Sequence, residues 1–358
     1  MAEPNVEEAP RPGPENTYLL IGHDAAEAVL SAAWRGGRLA HGWLFTGGEG
    51  IGKATLAYRF ARAILSGAID APAPPELPGL AAPAAGERLP EVGADDAAAR
   101  RIAAGAQPGL KVIRRSVNPD TGKMRGEIVV GDVRDAMKFL NRTATGGGWR
   151  IVIVDPVDEM NRNAANALLK SLEEPPGKCL FLLINHVSGA VLPTIRSRCQ
   201  VLALPALGPE DLRRVLSAAA PDLAADEAVL ELAGGSPGRA IRLLEADAGA
   251  LESRIGAILA APEEAGGLQA LDLAEQVARG AGATAAFRVV GELLARRTAI
   301  LARDAGQPAT RDAAAALWFE IAERFREAEL LNLDRRHTVL KACRDTSSLF
   351  HSPGAQGG

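Results

Sequence analysis

The chain is short of several things, and each shortage excludes something. Its 358 residues include only three cysteines, Cys179, Cys199 and Cys343, far apart and in no metal-ligand spacing. So sparse and odd a set excludes a disulfide framework and suits a reducing cytosol. Neither sign of charge is in large excess: 40 Lys and Arg against 44 Asp and Glu leave a formal net charge of −4. No global basic field therefore draws the protein onto nucleic acid, and any DNA contact must be local or shared with partner subunits. No apolar run reaches the roughly 18 residues that a bilayer span needs, which predicts no membrane association. The opening MAEPNVEEAPRPGPENT is acidic and proline-rich, the opposite of a signal peptide. These absences place the chain in the cytoplasm. Against them, 47% of its residues are hydrophobic, enough apolar material for two or three domains.

Residues 1–18 read as a disordered tail, with carboxylates and prolines and little to bury. From Leu19 onward strand and helix signals alternate. Apolar side chains at helical spacing (Ala26, Val29, Leu30, Ala33) predict a helix over 24–37, and a short apolar strand follows at 42–46. A second helix runs from Lys53 to about Ser66. Further strands are expected at 110–114, 151–154, 180–184 and 200–204, with helices around Val133, Met137 and Leu140 and over 164–172. The unbroken run Ile151-Val152-Ile153-Val154 suits a central parallel strand covered on both faces. This order predicts an α/β parallel-sheet domain over 19–205. Within it, 67–108 is crowded with proline and alanine and reads as a flexible insertion carrying one short helix near 95–104. After Pro205 strand signals vanish. A small helical group is expected over 206–246, longer helices over 247–350, and a Gly-rich disordered tail at 351–358.

The sharpest motif is Gly47-Gly48-Glu49-Gly50-Ile51-Gly52-Lys53, between a predicted strand and a predicted helix, which is the context of a phosphate loop. Glycines let successive backbone N–H groups converge on phosphate oxygens, and the helix N-terminus adds a favourable field. Gly47, Gly50 and Gly52 would form the cradle, and Lys53 would neutralise the outer phosphates of ATP. The full pattern asks for a hydroxyl directly after the lysine as a magnesium ligand. Ala54 stands there, and Thr55, one residue on, is turned about 100° around the helix. Asp155 ends the 151–154 strand and supplies the acidic half of the site. It is followed by Pro156, where active ATPases with an Asp-Glu pair carry the glutamate that polarises water. Asp158 and Glu159 lie close by; either one replaces that glutamate, or both are solvated carboxylates at a helix start. The pattern thus predicts ATP bound without efficient hydrolysis, at a weakened magnesium site.

Beyond the phosphate loop, the segment Ala164-Ala165-Asn166-Ala167-Leu168-Leu169-Lys170-Ser171-Leu172-Glu173-Glu174-Pro175-Pro176, the triplet Ser197-Arg198-Cys199, the lead-in Ile21-Gly22-His23 with His41-Gly42-Trp43-Leu44-Phe45, and Gly234-Gly235-Ser236-Pro237-Gly238-Arg239-Ala240 resemble the bacterial clamp-loader subunits of the AAA+ class. The resemblance covers about 19–245 well and the remainder loosely. It implies a RecA-like AAA+ domain, a small helical lid and a helical collar domain, in a subunit of the DNA polymerase III holoenzyme. It also implies gamma/tau and delta subunits as partners in a ring that places the sliding clamp on primed DNA. Arg198 takes the family's role of an arginine finger acting in trans on the neighbour's ATP. Asn185 falls at the sensor position, and Arg239 falls one place after the lid arginine's position, which holds Gly238. With Ala54, Pro156 and Gly238 departing from the hydrolysing gamma/tau pattern, the resemblance is to the delta-prime type, with little ATPase of its own. The alternative is a self-sufficient AAA+ ATPase, such as a gamma/tau-type subunit. Many loader subunits carry a four-cysteine zinc module where this chain has its cysteine-free insertion, so no zinc is expected.

Overall fold

A computed structural model describes residues 11–70, 88–141, 148–187, 189, 191–224, 227–279, 282–331 and 333–352. The chain divides into two units, Met1–Val215 with Gly235–Pro237, and Leu216–Gly234 with Gly238–Gly358.

Five short apolar runs become the strands of the first unit: β1 (Gly42–Thr46), β2 (Leu110–Ile113), β3 (Arg150–Val154), β4 (Cys179–Ile184) and β5 (Gln200–Ala203). They form one parallel sheet in the order β2-β3-β4-β1-β5. Parallel neighbours need long crossovers. The helices are α1 (Asp24–Arg35), α2 (Lys53–Leu65), α3 (Ala97–Ala103), α4 (Val130–Asn141), α5 (Arg162–Glu173), the single turn α6 (Pro193–Arg196) and α7 (Pro209–Ala219, its residues from Leu216 in the second unit). Ile113, Val154, Leu183, Leu44 and Val201 stand in one row across the sheet. That row packs with Val133, Leu140, Ala164 and Leu168 of α4 and α5. The alternate residues, among them Ile153, Leu182 and Phe45, point the other way and pack with Leu30, Leu56 and Phe60 of α1 and α2. Two covered faces explain why β3 and β4 read as continuous apolar runs rather than alternating ones.

Two stretches differ from the sequence reading. Residues 11–18, expected within a disordered tail, are tied to α2 by two buried arginines. Arg62 donates to the carbonyls of Glu15 (3.2 Å) and Thr17 (2.7 Å) and lies over the Tyr18 ring at 4.5 Å. Arg59 donates to the carbonyl of Tyr18 at 3.2 Å and pairs with Glu27. Polar backbone, not apolar side chains, holds this segment, so composition alone could not reveal it. Of the insertion expected over 67–108, residues 71–87 lie outside the described residues, as do residues 1–10 of the tail. The described flanks are packed: Ile69, Leu89 and Ile102 are buried with α2, and Asp96 caps α3 by accepting from the N–H groups of Ala98 and Ala99.

Described residues of the second unit are helical: α8 (Glu227–Ala233), α9 (Pro237–Glu245, its first residue in the first unit), α10 (Ala248–Ala260), α11 (Glu263–Ala278), α12 (Ala283–Asp304), α13 (Pro308–Leu330) and α14 (Arg335–Phe350). Phe287 of α12 stacks on Phe325 of α13 with ring centroids 4.6 Å apart. Gly291, one turn along, makes that approach feasible, since a Cβ there would lie 2.5 Å from Phe325 Cδ1.

Glu27 and Arg59 are both buried, and removing one partner strands the other's charge. Glu27→Ala should therefore lower stability by about 3–5 kcal/mol, measured from urea unfolding. A loss below about 0.5 kcal/mol, the scale of an ordinary surface change, would contradict the role given to this pair.

Candidate functional site

The register brings the C-terminal ends of the strands to one edge, where ligands of open parallel sheets bind. The Asp155 N–H donates to the Ile113 carbonyl at 3.0 Å and the Asn185 N–H to the Phe45 carbonyl at 2.9 Å. Asn185 therefore emerges next to the 47–53 loop, with Asp155 and then Arg114 following along the same edge in the strand order β1-β4-β3-β2. In that loop Gly47, Gly50 and Gly52 have φ of 141°, 74° and 111°. At Gly47 a Cβ would sit 2.5 Å from the Leu204 carbonyl oxygen and 2.6 Å from Ile51 Cδ1, so only glycine fits. Gly52 is the N-cap of α2; no side chain caps that end and its first turn holds no acidic residue. Uncapped N–H groups and the helix field suit a phosphate.

Lys53 is buried, and its ammonium donates to the carbonyls of Gly47 (2.7 Å) and Gly48. Burial pushes its pKa down to about 8, against the raising influence of Asp158, Glu49 and Asp155. Asn185 is buried too, and its Oδ1 has no hydrogen-bond partner among the described residues. These features fit the phosphates of a nucleotide.

Magnesium fits poorly. Ala54 has no oxygen and packs against the apolar cluster of α2, while Thr55 is half-buried one helical step away. Asp155 is already engaged, with Oδ2 accepting from Arg114 Nη2 at 3.2 Å and Oδ1 lying 3.9 Å from His186 Nε2. Burial, reinforced by Lys53, holds the His186 pKa below its usual value. A magnesium ion demands oxygens in near-octahedral array, and the position directly after Lys53 supplies no side-chain oxygen. The substitute carboxylates are committed as well. Asp158 accepts from the N–H groups of His186 (3.0 Å) and Val187 (3.3 Å). Glu159 pairs with Arg115 at 2.9 Å, while burial pushes its pKa up. Among the described residues no group of three or more His, Cys, Asp or Glu could hold a metal ion. Burial raises the thiols of Cys179, Cys199 and Cys343 to about 11, 12 and 12, far from thiolate reactivity.

Arg198 is elsewhere. It lies between α6 and β5, and a Cβ on Gly42, the first residue of β1, would sit 3.5 Å from its carbonyl oxygen. The phosphate loop follows Thr46, the last residue of the same strand. The length of β1, roughly 13 Å at about 3.3 Å per residue, separates the two edges. The guanidinium pairs with Glu173 at 2.7 Å and donates to the Thr194 carbonyl at 2.9 Å. Arg239 belongs to the second unit, where its Nε pairs with Glu292 at 2.8 Å. The sequence reading did not assign site roles to three residues here. The His23 Nε2–H donates to the Ile51 carbonyl at 2.6 Å, Ser236 Oγ donates to that of Glu49 at 2.7 Å, and Arg114 faces Asp155. His23 and Ser236 stand within the motifs that carry the family resemblance; Arg114 was expected as the last residue of a strand and belongs to no motif.

Parallel sheet, glycine-rich loop before α2 and strand-end aspartate define an α/β domain followed by a helical remainder, the architecture expected from the sequence. Comparison with known proteins narrows it. Residues 90–208 match the family described as DNA polymerase III, delta subunit. The DNA polymerase III subunit delta' of Pseudomonas aeruginosa is 41% identical over 212 residues, 58% of this chain and 57% of that protein. Its counterpart from Escherichia coli is 34% identical over 148 residues, 39% of this chain and 43% of that protein. The subunit tau of Bacillus subtilis is 29% identical over 187 residues, 52% of this chain and 28% of that protein. The chain spans about half the length of the delta-prime relatives it matches. The resemblance to delta-prime clamp-loader subunits is borne out by these relatives.

In the free protein Lys53 takes its proton near pH 8, and a phosphate beside it would raise that pKa. Nucleotide affinity should then fall as pH climbs from about 8 toward the higher value of the complex. Calorimetry at pH 8 in two buffers of different ionisation enthalpy should show uptake of about half a proton, absent in Lys53→Met. Binding without uptake would contradict the placement of phosphate at Lys53.

Proposed function

We propose that the chain is a delta-prime subunit of a DNA polymerase III clamp loader, which organises the ring and lends Arg198 to a neighbour's ATP site. The observation that carries this is the separation of Arg198 from the chain's own phosphate loop by the whole length of β1. An arginine at the strand-start edge cannot reach phosphates held at the strand-end edge, so its nucleotide must belong to another subunit. Its half-buried guanidinium is already oriented by Glu173 and the Thr194 carbonyl, which lowers the entropy lost on engaging a partner's phosphate. Phosphoryl transfer gains from a fixed guanidinium that spreads the developing charge.

The chain's own site supports the complementary half of the reading: ATP is bound there with little hydrolysis. The competing reading, a self-sufficient gamma/tau-type ATPase, needs Asp158 or Glu159 as the water-polarising base. Asp158 is occupied by two backbone N–H groups and Glu159 by Arg115. Residues 206–246 would serve as the lid and 247–350 as the collar that joins gamma/tau and delta subunits. Trp318 and Phe319 on α13 are 46% and 60% exposed, apolar area of the kind a subunit contact covers. Clamp and primed DNA are then reached through the complex, in the cytoplasm, and no membrane or zinc is involved. No helix among the described residues is long and apolar enough to cross a membrane.

With gamma/tau and delta subunits, clamp and primed DNA, Arg198→Ala should still assemble while ATP hydrolysis at the dependent site falls by about 10³–10⁵. The readout is single-turnover hydrolysis by the reconstituted complex. Unchanged hydrolysis in an assembled ring would overturn the assignment.

A further inference from the structure

We propose that Arg114 is the resident cation of the chain's own nucleotide site, standing on Asp155 in place of a divalent metal, so that phosphate binding there is independent of magnesium. Three elements build the position. Asp155, at the end of β3, accepts from Arg114 Nη2 at 3.2 Å; Glu15, in the lead-in segment, lies 3.6 Å from the same nitrogen; and Tyr58, on α2, presents its ring 6.0 Å from the guanidinium carbon. Burial works against the Arg114 charge, but Tyr58, Asp155 and Glu15 outweigh it and strengthen its hold on the proton. The guanidinium is thus a permanent cation clamped between two carboxylates over an aromatic face. Ordinary P-loop sites set a magnesium ion between the strand-end aspartate, the hydroxyl after the lysine and the nucleotide's phosphates. Here the hydroxyl is missing at Ala54, and the aspartate already faces Arg114 and, through its other oxygen, His186. A divalent ion arriving at Asp155 would meet a like charge that cannot deprotonate. The remaining carboxylates offer no refuge, since Asp158 is satisfied by backbone N–H groups and Glu159 by Arg115.

This inference rests on the proposal that the chain's own site binds nucleotide, and it goes further by naming the cation. It is tested on the full-length chain alone, by fluorescence anisotropy of a fluorescent ATP analogue in magnesium and in EDTA. The analogue should bind equally in both, within about twofold. Arg114→Ala, and Arg114→Gln as a neutral variant of similar length, should lose about tenfold or more of the metal-free affinity, the scale of a lost charge-assisted hydrogen bond. Circular dichroism establishes that each variant is folded, and one folded variant suffices. Binding that needs magnesium, variants that bind as tightly as the parent in EDTA, or no binding in either buffer would overturn the proposal. None of these outcomes bears on Arg198 in the reconstituted loader, so the two readings fail separately.

Discussion

The parallel register of the five strands is the constraint on which everything else depends. Because Ile113, Val154, Leu183 and Leu44 stand in one row, the residues just beyond them are delivered to one edge as a group: Arg114, Asp155, Asn185 and the glycines that follow β1. The same register sends Gly42 and the turn bearing Arg198 to the opposite edge. One sheet therefore has one edge lined with uncapped N–H groups and a buried lysine, the receiving edge of the proposed reading, and an opposite edge that carries a half-buried arginine. A slip of one residue would flip each side chain to the other face, so the apolar packing on both faces also secures the chemistry at the two ends.

Packing explains the character of the receiving edge as well. Ala54 contributes to the core beneath the loop, where a hydroxyl would have faced a metal. Lys53 is buried and its ammonium is bonded to carbonyls of its own loop, while burial pushes its pKa down to about 8. Asp155 lies among cations and Asp158 among backbone donors. Asn185 Oδ1, like the Nδ1 atoms of His23 and His186, is buried without a hydrogen-bond partner among the described residues. On the proposed reading, such an arrangement tolerates a phosphate while Ala54 removes one ligand of a metal.

Much of this was legible in the sequence, for identifiable reasons. β3 and β4 announced themselves because a strand covered on both faces must be apolar throughout. The phosphate loop did so because its geometry demands glycine at φ values other residues avoid. Asp155 and Asn185 followed from being next after those strands. Arg114 satisfies the same rule after β2, yet an arginine beyond a short strand carries no motif, so its pairing with Asp155 emerged only in three dimensions. Residues 11–18 were misread because their anchors, Arg59 and Arg62, hold backbone carbonyls, which leave no trace in composition. Around 67–108 the many alanines and prolines concealed Ile69, Leu89 and Ile102, three apolar side chains that fasten the described flanks to α2.

The central claim is that this chain works at another subunit's nucleotide and not at its own. The most direct measurement is ATP turnover by the isolated, full-length chain in magnesium. The account predicts turnover far below the common enzyme range, whose lower end is about 1 s⁻¹. Turnover at or above that rate, abolished by Lys53→Ala, would contradict it.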